Sequence, residues 1–205
     1  MATGTPYSLT VYNNSTLSGN VCMYQRDPQQ DVNPNLFTLA WIVKSFHPGT
    51  KLVFNWDIVY GLTWLETGVL NKGVRFTASE TREIDLTDPS KNAVSLVKEH
   101  GAYRFTDSNK IYPTGTLGIH TDNSIPTNGL SLGVTMSGQP AFAMPATPNY
   151  SYCFEPHPEY YIAFGNFEQG EVIDVNTVSS TQRVQYPFGV FDEEVSFETD
   201  NTWKL

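Results

Sequence analysis

The amino-acid sequence predicts an all-β protein, an antiparallel two-sheet β-sandwich of jelly-roll-like form, with little helix and a single domain over residues 1–205. Short stretches of alternating apolar and polar residues recur along the chain, and clusters of Gly, Pro and Asn separate them. No internal repeat or flexible linker divides the sequence. Aromatic residues make up 13% of the chain, and these bulky side chains supply a sizeable core.

Two strands are predicted near the start of the chain. Residues 7–12 alternate apolar and hydroxyl side chains, and residues 21–25 are mostly apolar. A turn cluster, Asn13-Asn14-Ser15, lies between them, so the pattern predicts a β-hairpin. The Pro- and Asn-rich residues 27–35 predict a loop, and residues 37–44 predict the next strand.

The strongest pattern in the sequence spans residues 52–64. Every second residue is large and apolar, which places these side chains on one face of a long strand that Gly61 allows to bend. The set is Leu52, Phe54, Trp56, Ile58, Tyr60, Leu62 and Trp64. Packing in the core is the favoured interpretation of these aromatic residues, and a platform on which ligands stack is the alternative.

Later strands are predicted from shorter patterns of the same kind. They cover residues 74–78, 93–97, 103–105, 115–120, 130–136, 160–164, 171–175, 182–186 and 194–198. The one candidate for a helix, residues 89–98, is equally consistent with a strand. Five prolines between residues 138 and 158 predict an ordered loop or an edge segment there, because proline cannot donate a ladder hydrogen bond.

Charge restricts the classes of partner. The net charge of −9 opposes binding to nucleic acid and to anionic membrane surfaces, and no run of about 20 apolar residues predicts a membrane span. Residues 1–6 lack the pattern of a signal peptide, so we expect a cytoplasmic location, with release by a non-classical route as the alternative. Cys22 and Cys153 are expected to be buried free thiols, although a disulfide between them stays open.

The sequence lacks the motifs of common enzymes. Gly-x-Ser-x-Gly, the Walker sequence and Gly-x-Gly-x-x-Gly are all missing, which predicts a protein that is not an enzyme and needs no cofactor. The alternative of a metal-dependent enzyme rests on Glu155, His157 and Glu159, with His120 as a further ligand. The prolines between the first three enforce an extended segment that places them on one side. An ordinary surface loop explains the same residues.

Carbohydrate binding is the second alternative. Sugar rings stack on aromatic faces, and Tyr- and Trp-rich segments of β-sandwiches provide such faces. The candidate residues are Trp64, Tyr150, Tyr152, Tyr160 and Tyr161.

Seven segments carry a resemblance to a known family: residues 7–15, 19–25 and 39–41, Phe54-Asn55-Trp56-Asp57 with Tyr60, and residues 64–68, 136–138 and 200–203. Together they resemble the RhiA family of rhizosphere-expressed bacterial proteins. The resemblance runs nearly end to end. It implies a protein whose expression follows cell density in root-associated bacteria, and it implies no defined catalytic activity or functional residue.

These observations favour a soluble, acidic, non-enzymatic β-sandwich that acts by self-association or by ligand binding. Sheet edges are natural sites of association, so an oligomer or an ordered inclusion is expected, with glycans as the alternative partner.

Overall fold

The computed structural model describes residues 6–31 and 33–205, so the start of the chain at residues 1–5 lies outside the described residues. Strands dominate the described chain, and one four-residue 3-10 helix, Pro28–Asp31, lies in the predicted loop. The strands are β1 (Pro6–Asn13), β2 (Gly19–Arg26), β3 (Phe37–Leu39), β4 (Ile42–Phe46), β5 (Lys51–Asp57), β6 (Tyr60–Leu65), β7 (Glu80–Glu83), β8 (Ala93–Glu99), β9 (Ala102–Asp107), β10 (Leu117–Thr121), β11 (Ser131–Met136), β12 (Gln139–Pro145), β13 (Ser151–Phe154), β14 (Glu159–Gly165), β15 (Val172–Ile173), β16 (Thr181–Val184), β17 (Asp192–Phe197) and β18 (Trp203–Lys204).

Hydrogen bonds divide these strands among four sheets. Their strand orders are β18-β17-β1-β5, β16-β14-β2-β4, β15-β3-β12-β11-β6-β7 and β13-β10-β8-β9. Most pairs are antiparallel, while β1 with β17 and β8 with β10 are parallel. The prediction of a nearly all-β, sandwich-like fold is confirmed, and residues 89–98 contribute a strand and no helix. No helix among the described residues is long and apolar enough to cross a membrane.

One apolar core joins the four sheets. Its largest cluster draws buried side chains from every sheet, including Leu9, Met23, Leu62 and Ile119. Each buried Val, Leu, Ile, Phe or Met side chain of this cluster contributes roughly 1.5–3 kcal/mol, which opposes the conformational entropy lost on folding. Because one face of each strand packs against this core, the core determines which face points outward.

The predicted β-hairpin at the start of the chain is wrong. β1 pairs with β5 and β17, whereas β2 pairs with β14 and β4. The Asn13 side chain accepts hydrogen bonds from Ser15 and donates one to the Leu17 carbonyl at 3.0 Å, and this loop carries the chain from one sheet into another. The apolar residues of β1 and β2 consequently meet in the same core cluster without pairing side by side.

The long alternation of residues 52–64 forms two strands in different sheets. The chain turns at Ile58 and Val59, where the Val59 amide donates to the Asp57 carbonyl at 2.9 Å. Gly61 is not the bend. It lies within β6, where an added Cβ would approach the Arg82 carbonyl oxygen to 2.9 Å. The core interpretation is confirmed, because Trp56 is 2% exposed and Trp64 is 6% exposed.

Three further local predictions are wrong. Residues 37–44 form two strands, β3 and β4, because the Trp41 amide bonds to the Met23 carbonyl between them. Residues 74–78 contribute only an isolated bridge from Arg75 to Glu171. The proline-rich stretch contains β12, an interior strand. Pro140 lies beside a register shift and Pro145 is the last residue of β12, so neither proline interrupts the central ladder with β3.

Candidate functional site

An open cleft of about 710 Å³ lies where β1, β5 and the start of β17 meet. Strand pairing brings residues that are far apart in sequence together here. Its lining residues are Pro6, Tyr7, Ser8, Asn55, Trp56, Asp57, Ser137, Phe191 and Asp192.

Aromatic side chains pack on the inward face of the strands that line the cleft. Tyr7 and Trp56 are direct partners in the β1–β5 register, and their rings stack at a centroid distance of 5.8 Å with planes 15° apart. Tyr186 and Phe191 meet the Tyr7 ring edge-on, at 5.0 and 5.3 Å. The Tyr186 hydroxyl also donates to the Ser8 carbonyl at 2.8 Å, which holds this ring against β1. These rings form a packed layer on the inward face of β1 and β5, whereas Ser8 and Asn55, the next register pair, face the other side of the sheet.

Polar side chains form the rim of the cleft. The Ser8 hydroxyl donates to Asp192 Oδ1 at 2.5 Å, and the Asp57 amide donates to Ser137 Oγ at 3.2 Å. Asn55 is exposed. The lining residues that the structure describes include two carboxylates and no basic side chain, which disfavours anionic ligands.

A smaller depression of about 300 Å³ lies on the other side of Tyr7. Arg183 and Glu159 form an ion pair at its edge, with a nitrogen–oxygen distance of 2.7 Å, and Tyr160 lies in its wall. This pair is partly exposed, and such pairs contribute little to stability.

An uncharged loop borders the larger cleft. We call residues 187–191, Pro-Phe-Gly-Val-Phe, the apolar loop. The Val190 amide donates to the Pro187 carbonyl at 2.9 Å, and Gly189 takes a φ of +80°, so the loop is a tight turn. The Phe188 side chain is fully exposed, and Phe191 is 41% exposed. The sequence patterns predicted strands on both sides of this loop but did not single out the loop as a functional surface. The feature that could have indicated it is an apolar run at a position where turns are usually polar.

A family model described as RhiA matches residues 4–205. The chain belongs to the RhiA family. Protein RhiA of Rhizobium leguminosarum bv. viciae is 32% identical over 208 residues, a match that covers 100% of this chain and 88% of that protein. No solved structure matches the chain. The resemblance noted from sequence segments is thereby confirmed.

The five aromatic residues predicted to bind carbohydrate do not form one platform in this RhiA-family chain. Trp64, Tyr152 and Tyr160 are 5–7% exposed, and the Trp64 indole donates to a Glu80 oxygen. Tyr150 is 54% exposed and contacts Tyr152, whereas Tyr161 stacks on Tyr24. Among the described residues, Trp64 has a ring contact with Tyr103 and none with the four tyrosines of the predicted set. The sugar-binding role of these residues stays a prediction, with Tyr150 and the half-buried Tyr161 offering the accessible faces.

The predicted metal ligands do not gather into one set. His157 Nε2 is 3.9 Å from a Glu155 oxygen, but Glu159 turns toward Arg183 and accepts a hydrogen bond from Tyr161. His120 bonds to Ser151 on the neighbouring strand. Within residues 6–31 and 33–205, no three His, Cys, Asp or Glu side chains gather into a set that could hold a metal ion.

The two cysteines are free thiols, as predicted, but only one is buried. Cys22 lies in the core, and burial raises the pKa of its thiol. Cys153 is exposed, which corrects the expectation that both are buried. It lies on β13, an edge strand whose alternate residues Tyr152 and Phe154 face the core, so Cys153 faces outward.

Buried tyrosines make the stability of the chain sensitive to alkaline pH. Burial raises the pKa of Tyr160 to about 12, although the Trp56 indole opposes this shift. Burial likewise raises the pKa of Tyr60 and Tyr186 above 10.0. Between pH 10 and 12 the unfolded chain loses these protons while the folded chain keeps them, so we expect the free energy of unfolding to fall as pH rises through that range.

Tyr160→Phe tests this expectation. The Tyr160 hydroxyl is buried without a hydrogen bond of normal geometry, so its removal should leave stability at pH 7 nearly unchanged. Above pH 10, urea unfolding should show a smaller loss of stability in the variant than in the wild type. An identical loss in both proteins would contradict the assignment to Tyr160.

Proposed function

We propose that this RhiA-family protein is not an enzyme and acts by associating with copies of itself through the apolar loop. The observation that carries the proposal is the fully exposed Phe188, flanked by Val190 and Phe191, which are 36% and 41% exposed. Exposed contiguous apolar surface marks interaction sites, and burying one such side chain contributes about 1.5–3 kcal/mol.

The distribution of charge favours a protein surface, rather than nucleic acid or an anionic membrane, as the partner of the apolar loop. The apolar loop contains no ionisable residue and is followed at once by Asp192, Glu193 and Glu194. Nucleic acids and anionic bilayers would be repelled by these carboxylates and by the net charge of −9. A contact between two copies places only the apolar side chains in the interface and leaves the carboxylates in solvent.

Sheet edges give less support to association than the apolar loop. Five edge strands, β7, β13, β15, β16 and β18, have four residues or fewer. On β9 the Phe105 amide donates to a Glu80 oxygen, and on β5 the Val53 carbonyl accepts from Lys44 Nζ. Short edges, and longer edges bonded by side chains, are the features that oppose edge-to-edge pairing.

Replacement of the exposed ring tests the proposal. In a symmetric dimer, Phe188→Ser removes two buried rings, so we expect association to weaken by about 10²–10⁴-fold. Light scattering across a concentration series should show wild-type mass rising with concentration and the variant remaining monomeric. Thermal stability should be unchanged within about 0.5 kcal/mol, because the side chain makes no core contact.

Ile111→Ser is the matched control. Ile111 is 88% exposed and lies between β9 and β10, outside the apolar loop, so its removal should leave association intact. A wild type that stays monomeric at every concentration, or a Phe188→Ser variant that associates like the wild type, would refute the proposal.

A further inference from the structure

We propose that Cys153 is a redox-modification site, at which hydrogen peroxide oxidises the thiol to a sulfenic acid whose oxygen accepts a hydrogen bond from the buried Tyr112 hydroxyl. The inference does not depend on the apolar loop or on self-association. It rests on two features of the outward face of the sheet β13-β10-β8-β9, an exposed thiol and a buried donor beside it.

The Tyr112 ring lies on the same face of the sheet as Cys153. Gly118 and Cys153 are direct partners in the β10–β13 register, so their Cβ positions lie about 5 Å apart on one side of the sheet. A Cβ added at Gly118 would clash with the Tyr112 ring, which therefore covers Gly118 beside Cys153. The next register pair, Leu117 and Phe154, is buried on the opposite face. The phenol and the thiol are thus neighbours on the outward face.

The Tyr112 hydroxyl is a buried donor that lacks an acceptor. Tyr112 is 6% exposed, and among the described residues its hydroxyl finds no hydrogen bond of normal geometry. Burial raises the pKa of this phenol, Ser151 lowers it and a negative charge on Cys153 raises it, so both residues lie close to the hydroxyl. Ser151 Oγ is bonded to His120 Nδ1 at 3.1 Å. Because a buried donor without an acceptor is unfavourable, a new acceptor on Cys153 would gain this hydrogen bond.

The exposure of Cys153 permits the oxidation itself. The thiol is open to solvent on the edge strand β13, whereas Cys22 is 0% exposed. The Cys153 sulfur attacks one oxygen of hydrogen peroxide as a thiolate, so a sulfur–oxygen bond forms while the oxygen–oxygen bond breaks. The sulfur loses two electrons to the peroxide. The departing hydroxide combines with the proton that the thiol released and gives water.

The buried donor then retains the product. The added oxygen supplies the acceptor that the Tyr112 hydroxyl lacks in the reduced protein. A sulfenic acid is ordinarily lost by condensation with a thiol or by further oxidation. Cys22 is buried in the core, so it is not available to form a disulfide with Cys153 in the folded chain. We therefore expect a long-lived sulfenic acid that excess dithiothreitol returns to the thiol.

Trapping with dimedone, which reacts with sulfenic acids, tests the inference. Hydrogen peroxide is added to the reduced protein and removed with catalase, and dimedone follows after increasing delays. Peptide mass spectrometry should find one label on Cys153 and none on Cys22. Tyr112→Phe keeps the ring and removes only the donor, so it should shorten the lifetime of the sulfenic acid about tenfold, the effect expected from one hydrogen bond.

Tyr150→Phe is the matched control. Tyr150 is 54% exposed and lies one residue before β13, so loss of its hydroxyl should leave the lifetime unchanged. Gly118→Ala is a second variant, because its methyl group displaces the Tyr112 ring while the hydroxyl remains, and the lifetime should again fall. Circular dichroism checks that each variant is folded. Wild-type protein without a label on Cys153, or equal lifetimes in the wild type and in the folded Tyr112→Phe and Gly118→Ala variants, would overturn the inference.

Discussion

Trp41→Ala should lower the free energy of unfolding by about 3–5 kcal/mol, among the largest losses expected from a single side-chain truncation in this chain. Trp41 is 0% exposed, and its ring packs edge-on against Trp56 and face-on against Tyr160, at 5.8 and 6.2 Å. Its Nε1 donates to the Met136 carbonyl at 2.9 Å. The midpoint of thermal unfolding should fall by roughly 6–20 °C for a chain of this size.

Trp41→Phe separates packing from hydrogen bonding. This variant keeps most of the aromatic volume and loses the indole donor with part of the ring system, so we expect a smaller loss than for Trp41→Ala, about 1–3 kcal/mol. Urea unfolding monitored by circular dichroism measures both variants against the wild type. Equal midpoints for Trp41→Ala and the wild type would contradict the described packing, in which Trp41 also supports the rings beneath the cleft.

Local patterns predicted most strands because alternation of apolar residues is set by burial of one face. Residues 93–97 and 130–136 show this agreement within a few residues of β8 and β11. The same patterns did not predict which strands pair. Residues 52–64 keep their alternation through the turn at Ile58, because both β5 and β6 bury large side chains in one core, and alternation alone does not reveal a change of sheet.

The cleft is non-local, and for this reason the sequence did not predict it. Tyr7 and Trp56 are 49 positions apart and meet through the β1–β5 register, while Asp192 arrives through the parallel β1–β17 pairing. Sequence reasoning instead selected residues that cluster along the chain. Glu155, His157 and Glu159 share one segment, yet Glu159 forms its ion pair with Arg183 on the neighbouring strand.

The alternation of apolar and polar residues is visible in the sequence, but the solvent exposure of a side chain does not follow from its residue type. Tyr160 and Phe188 are both aromatic and both lie near the cleft, but the first is 7% exposed and the second is fully exposed. The difference arises because Tyr160 occupies an inward position of β14, whereas Phe188 lies in a turn whose ends are fixed by β16 and β17. The residue that carries the proposed function therefore became visible only with the fold.

Gly68→Ala should destabilise the chain by about 3 kcal/mol or more, for a reason that concerns space alone. Gly68 is buried, and a Cβ added there would lie 1.7 Å from the Asn128 carbonyl oxygen and 2.5 Å from the Gly129 nitrogen. These are backbone atoms, so no side-chain rotation relieves the clash. Residues 66–70 would have to move away from residues 126–130. This movement would also break the nearby hydrogen bond that the Ser131 hydroxyl donates to the Thr67 carbonyl.

Gly49→Ala is the control that isolates the spatial effect. Gly49 has open space around its Cβ position but a φ of +71°, so alanine there should cost only the backbone strain, about 1–2 kcal/mol. Gly68 has no such positive φ, and its larger loss must come from the close approach of two segments. A midpoint of urea unfolding for Gly68→Ala at or above that of Gly49→Ala would show that residues 66–70 and 126–130 do not meet as described.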